Sequence, residues 1–223
     1  MTFCRALPLV AFVVVGSATV LGQDPVKVAA GTYKVVLENP SVRILRVSVP
    51  AGGKTAMHSH PENMVIPLSD GKIQFTAPDG KTQEVVLASE TALYAPAETH
   101  AGSNTSGAPL DALVIEFKGA KPGTATVPTS RDNMNIKVLA EGARAVAIRG
   151  TAGPAFSEAA GTTHEYDQVV IALGPSQMSL SIDGKPAGTT WARGDVRFIP
   201  RGTPHESKNT GSKPADFIIV GIR

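Results

Sequence analysis

The chain has 223 residues, with 21 basic against 19 acidic side chains and a formal charge of +2. That length suits one large or two small domains and excludes a large multidomain enzyme. Charges of both signs are interspersed at 18% of residues and aromatics make up only 5%, so the sequence carries no electrostatic footprint for nucleic acid. Its one cysteine, Cys4, excludes an intrachain disulfide, a cysteine-based zinc site and an iron–sulfur cluster.

In chain order, residues 1–22 place Arg5 before an apolar stretch from Ala6 to Leu21, with Val20 and Gly22 at the −3 and −1 positions of a cleavage site. This predicts a secretory signal peptide removed before Gln23, taking Cys4 with it. A periplasmic or secreted location follows, with no membrane attachment after cleavage. Pro8, Gly16, Ser17 and Thr19 interrupt the stretch, which is shorter than the roughly 20 apolar residues a membrane span prefers. From Gly31 onward no long segment has apolar residues at helical spacing. Short β-rich runs follow one another instead: Thr32–Leu37, Val42–Val49, Lys72–Phe75, Ala112–Phe117, Met178–Ile182 and Phe217–Val220. Asp70-Gly71, Asp79-Gly80 and Asp183-Gly184 supply turn dipeptides. The Gly-, Pro- and Thr-rich segment from Gly119 to Thr129 reads as an exposed connection. Short strands with such turns indicate an all-β sandwich or barrel.

The two halves are related in sequence. Asp79-Gly-Lys81 matches Asp183-Gly-Lys185, His60 matches His164 and Pro96 matches Pro200, all 104 residues apart. Further on the offset is 105, pairing His100 with His205, Asn104-Thr105 with Asn209-Thr210, and Asp111 with Asp216. One inserted residue between the proline and the histidine accounts for this shift. A tandem duplication is therefore expected, with domains over residues 30–118 and 134–223 and a linker over 119–133.

The five histidines carry the chemistry. His58 and His60 are two apart, a spacing that puts both side chains on one face of a strand and lets two imidazoles meet one ion. A third histidine, His100, from a later strand would complete a nitrogen cage for a first-row transition metal. These residues sit in a pattern that resembles the cupin superfamily. The first half has Gly52, His58, His60 and Gly71 in the spacing of the first cupin motif, with Met64 where that motif has glutamate. Pro96, His100 and Asn104 follow as a contracted second motif, with Glu98 in place of its glycine. The second half fits the second motif at Gly194, Pro200, Gly202, His205 and Asn209, but keeps only His164 of the first, with Thr162 at the other histidine position and Gln168 at the glutamate position. All five histidines fall at cupin ligand positions, and the resemblance covers nearly all of the chain after residue 22.

The resemblance implies tandem cupin (double-stranded β-helix, jelly-roll) barrels with His58, His60 and His100 as ligands of a divalent transition metal, one of Fe, Zn, Ni, Cu or Mn. Met64 is a soft, weak ligand type expected to pack apolar, and Glu62 is a candidate replacement carboxylate. Glu98 is expected in the turn before His100, either exposed or behind the ligands. In the second barrel His164, Gln168, Thr162 and His205 make a poor cage. Trp191 is expected in a core or interface, while Tyr166 and Asp167 lie next to the pocket strand without an assigned direction. The implied function is a secreted three-histidine metalloenzyme of dioxygenase or isomerase type acting on a small molecule. A non-catalytic cupin that binds a sugar or organic acid outside the cytoplasm is the alternative. A homodimer is a further expected association.

Overall fold

The computed structural model describes residues 23–119, 123–131 and 134–223. The expected leader over 1–22, with Cys4, lies outside the described residues. The chain enters through a single helical turn, α1 (Pro25–Val28), started by Pro25 and by the Asp24 side chain, which accepts from the Val26 amide at 2.9 Å. Nine strands follow in the first half: β1 (Tyr33–Glu38), β2 (Val42–Val49), β3 (His58–His60), β4 (Asn63–Pro67), β5 (Gly71–Thr76), β6 (Thr82–Leu87), β7 (Leu93–Ala95), β8 (Glu98–Asn104) and β9 (Leu110–Phe117). Nine more make up the second half: β10 (Met134–Glu141), β11 (Ala145–Ala152), β12 (Ser157–Thr162), β13 (Asp167–Ala172), β14 (Met178–Ile182), β15 (Lys185–Gly188), β16 (Val196–Ile199), β17 (His205–Asn209) and β18 (Ala215–Ile222).

Each half is a pair of antiparallel sheets, ordered β1-β2-β9-β4-β7 with β3-β8-β5-β6, and β10-β11-β18-β13-β16 with β12-β17-β14-β15. Every strand of the second half thus takes the place of the strand nine earlier, so the repeat seen in sequence is a repeat of topology. The hairpin glycines behave as their type dictates: Gly80 and Gly184 have φ of +82° and +70°, and Asp183 joins its glycine at +51°. Gly71 differs from expectation. It opens β5 rather than a turn, and a Cβ there would lie 2.1 Å from the Leu110 side chain, so close packing demands glycine at this position.

Strand alternation sorts the apolar residues into three cores. On β9, Leu113, Ile115 and Phe117 join Val42, Ile44, Met64 and Ile66 in a cluster shared with Ala145, Val169, Ile171, Ile218 and Val220, so the two five-stranded sheets face one another. Ala112 and Val114 point the other way, into the first barrel with Leu45, Val47 and Ile73. The second barrel is filled by Phe156, Tyr166, Met178, Trp191 and Phe217.

Two sequence expectations need correction. The connecting segment is not uniformly exposed: Val127 is buried in the second core and the Arg131 side chain is only 13% exposed. The offset between halves also changes more than once. Asn63 pairs with Glu116 on β9 as Gln168 pairs with Gly221 on β18, so β4 and β13 correspond at 105 residues, and Gln168 matches Asn63 rather than Met64. The extra residue sits in the turn after His164, where Glu165-Tyr166-Asp167 replaces the shorter Pro61-Glu62.

Candidate metal centre

The β3–β8 pairing sets His58 directly opposite His100, and the period of two places His60 on the same inner face. The three side chains are buried, and one ligand atom from each lies within 4.8 Å of the others. Their rings stand 4.8 to 5.5 Å apart, centroid to centroid. The Nδ1 of His58 is 2.7 Å from the carbonyl of Ala56, an acceptor only, so this nitrogen carries the proton and Nε2 keeps its lone pair. The Tyr33 hydroxyl donates to that lone pair at 3.0 Å, and a cation taken up there would compete with it. Burial pulls the His58 pKa down to about 4, opposed by its Ala56 hydrogen bond and aided by the neighbouring His60 and His100 rings. The ring is thus neutral, as a ligand must be.

His60 has a different partner. Its Nδ1 lies 2.7 Å from Oε1 of Glu116, a residue 1% exposed on β9. The other Glu116 oxygen accepts from Arg43 at 2.5 Å, and Arg43 in turn reaches Asp24 at 2.7 Å. Arg43 sits directly across from Glu116 on β2, so cross-strand pairing alone brings the two together. Burial pushes the Glu116 carboxyl up, but His60 and Arg43 together hold it below the usual carboxylate range. This line from Asp24 to His60 fixes the imidazole's orientation and leaves its Nε2 free. The sequence signal for Glu116 was a single acid at inward parity in the apolar run Ala112–Phe117.

The remaining candidates divide clearly. Met64 is fully buried among the residues between the two barrels, on the opposite face of β4 from the histidines. Glu62 is turned away as well, hydrogen-bonded to the Tyr94 hydroxyl, which also accepts from the Arg144 amide at 3.1 Å. Neither is a ligand in this arrangement. Asn63, unlike Met64, lines the same cavity as His60 and His100, with its amide donating to the Pro61 carbonyl at 2.9 Å. Glu98 opens β8, with Oε1 3.2 Å from Nδ1 of His100 but off the hydrogen-bond direction. That nearby ring lowers the Glu98 pKa. The Nδ1 of His100 is consequently a buried polar atom without a hydrogen-bond partner. Three converging imidazoles, one carrying an orphaned nitrogen, are a donor set that fits a divalent transition metal.

His60 and His100 line a cavity of about 290 Å3, with His58 packed against them just behind its wall. Val47, Val65, Ile73, Phe75, Leu93 and Val114 are among its mainly apolar walls; Gln83, Tyr94 and Glu98 also line it, and among the described residues no lysine or arginine does.

The second barrel departs from this pattern. Thr162 is opposite His205, but its hydroxyl turns back to the Ala159 carbonyl. The residue that joins His164 and His205 is Glu158, four positions earlier on β12. Its two oxygens lie 3.4 Å from His164 Nε2 and His205 Nε2, and one accepts from Ser207 at 2.9 Å. Burial would raise the Glu158 carboxyl, but both histidines and Arg131 hold it far below its usual range; burial would lower His205, but Glu158 raises it. Gln168 receives Arg131 at 3.2 Å, as does the Tyr166 hydroxyl at 3.0 Å. Asp167 faces away from this group and accepts from the Arg201 amide at 2.8 Å. Trp191 is buried, donates to the Met178 carbonyl and packs edge-on to Phe217, so it is a core residue. The space left is about 50 Å3, a sixth of that in the first barrel.

A scan against protein-family models finds no match, and a search of curated proteins finds none. Solved structures do match. AerE from Microcystis aeruginosa superposes with a TM-score of 0.65 at 14% identity, over 86% of this chain and 97% of that one. A cupin 2 conserved barrel domain protein from Leptotrichia buccalis gives 0.55 at 13%, over 86% and 88%. The oxalate decarboxylase OxdC of Bacillus subtilis gives 0.60 at 11%, over 85% and 71%. The chain therefore has the cupin fold, in two copies. One barrel of this fold holds a three-imidazole cluster beside a cavity and the other is nearly filled.

Proposed function

We propose that the first barrel is the working site of a metal-dependent enzyme that acts on a small, largely apolar molecule bound through a single anionic oxygen or sulfur. The observation that carries this reading is the convergence of three buried imidazoles, two of which line a 290 Å3 cavity with mainly apolar walls. His58, His60 and His100 would hold the ion, which supplies Lewis acidity and, for oxygenation, a place for O2 beside the substrate. All three ligands are neutral, so the centre keeps its full positive charge and favours an anionic donor. Among the described residues no lysine or arginine lines the cavity, so a second carboxylate on the ligand would find no cationic partner there. Diketones in their enolate form and small thiols fit these requirements. Tyr33, on His58, and Glu98, at the cavity wall beside His100, are the groups placed to hold or pass a proton. The leader-like residues 1–22 support an exported protein.

The test is to purify the chain from residue 23, load it in turn with Fe(II), Mn(II), Ni(II), Cu(II) and Zn(II), and follow oxygen consumption and product formation with diketones and thiols. Turnover that disappears in His100→Ala supports the proposal. Ligand-induced thermal stabilisation with every metal and no turnover would replace it with a binding role.

A further inference from the structure

We propose that in the second barrel Arg131 stands in for a metal ion: the Glu158, His164 and His205 cluster is a latent cation site, closed by a guanidinium carried on the segment between the barrels. The three donors have the right nature and spacing. His164 Nε2 and His205 Nε2 are both buried without a hydrogen-bond partner, and each lies 3.4 Å from a different oxygen of Glu158. That distance is long for a charge-assisted hydrogen bond. One donor atom from each of the three residues lies within 4.8 Å of the others, a spacing that small movements would bring to the donor-to-donor edge of about 3.4 Å in a tetrahedral centre with bonds of about 2.1 Å. Glu158 also brings a carboxylate to the cluster from β12, where Gln168, the counterpart of Asn63 on β13, offers only an amide.

The cluster already contains a cation. Arg131 Nη1 is 3.4 Å from Glu158, and Nη2 bridges the Tyr166 hydroxyl at 3.0 Å and Gln168 Oε1 at 3.2 Å. The guanidinium already balances the carboxylate, so a divalent ion would meet an uncompensated positive neighbour within the same cage. The first barrel is built the other way round. There Arg43 lies behind Glu116, on the far side from His60, and is held by Asp24. Gly221, the counterpart of Glu116, leaves room that the side chains of Val127 and Tyr166 fill, with a Cβ there 2.7 Å from Val127. The same connecting segment thus supplies both Val127 and Arg131 to the second barrel. The residual space of about 50 Å3 admits an ion or a water and no organic substrate.

Equilibrium dialysis of the chain from residue 23 against Co(II), read as metal per chain and by visible absorption, tests this. Metal bound by the unaltered protein should be the same in H164A/H205A, a comparison that needs no change at Arg131. Arg131→Gln should bind one more Co(II) per chain with new tetrahedral absorption bands, Arg131→Lys should not, and R131Q/E158Q should lose the extra ion. A loss of one metal from the unaltered protein in H164A/H205A would overturn the proposal, as would a cooperatively melting R131Q with no added ion. These are differences between variants of the second barrel, so they are read whether or not the first barrel binds metal.

Discussion

Glu116→Gln preserves the shape of the side chain and removes the charge that links Arg43 to His60. In the native arrangement Glu116 accepts from His60 Nδ1 at 2.7 Å and from Arg43 at 2.5 Å, at 1% exposure. Each bond to a charged group contributes about 1.5–3 kcal/mol. Arg43 retains Asp24 and is 18% exposed at its side chain, so water offsets part of its loss. A net destabilisation of about 2–3 kcal/mol is expected. The effect on metal should be of similar size, because outer partners of ligating histidines typically change affinity 10- to 100-fold, or about 1.4–2.7 kcal/mol. Competition against a chromophoric chelator measures the affinity, and a parallel thermal melt verifies folding. Asp24→Asn, at the partly exposed end of the same line, should cost less than about 1 kcal/mol in either measurement. A folded E116Q that binds metal within twofold of the unaltered protein would refute the claim that Glu116 orients His60.

Other outcomes follow from the same geometry. His58→Ala with His60→Ala should abolish metal binding in the first barrel, and unchanged metal content on elemental analysis would remove that site. Met64→Glu should lower stability by several kcal/mol and bring no gain in metal affinity, because its side chain lies between the barrels and not in the cavity; a rise in affinity would restore Met64 as the fourth ligand position. Asn104→Ala should cost about 1–3 kcal/mol in chemical denaturation, since its buried amide donates to the carbonyls of Val49, Pro50 and Ala108 at about 3 Å and these bonds would be lost. For pH, the folded chain keeps His58 neutral down to about 4 while the unfolded chain protonates it near 6.5. The folded state therefore binds fewer protons in that window, and the metal-free protein should lose stability as pH falls from 6.5 towards 4. A melting temperature that stays flat across that range in the presence of chelator would contradict the His58 environment.

Much of this was legible in the sequence because it depended on short-range rules. The two-residue spacing of His58 and His60, the turn glycines Gly80 and Gly184, and the recurrence of motif residues in the second half each read directly into strands, hairpins and a repeated topology. What could not be read was register. A one-residue difference in the turn after His164 moves the correspondence of Gln168 from Met64 to Asn63, and a shift of one residue exchanges the two faces of a strand. Residues that act on the site from other strands were equally hidden. Glu116 and Arg43 meet because β2 and β9 pair, Tyr33 reaches His58 from β1, and Glu158 takes a place the motif assigns elsewhere. The connecting segment, by composition a loop, was misleading because Val127 and Arg131 are inserted into the second barrel.

The central claim is most directly tested by the transition-metal content of the protein as it leaves its native host, before any reconstitution. One divalent ion per chain, lost when His58, His60 and His100 are replaced and kept when His164 and His205 are, is the predicted result. Protein free of metal, or metal retained without the three first-barrel histidines, would contradict it.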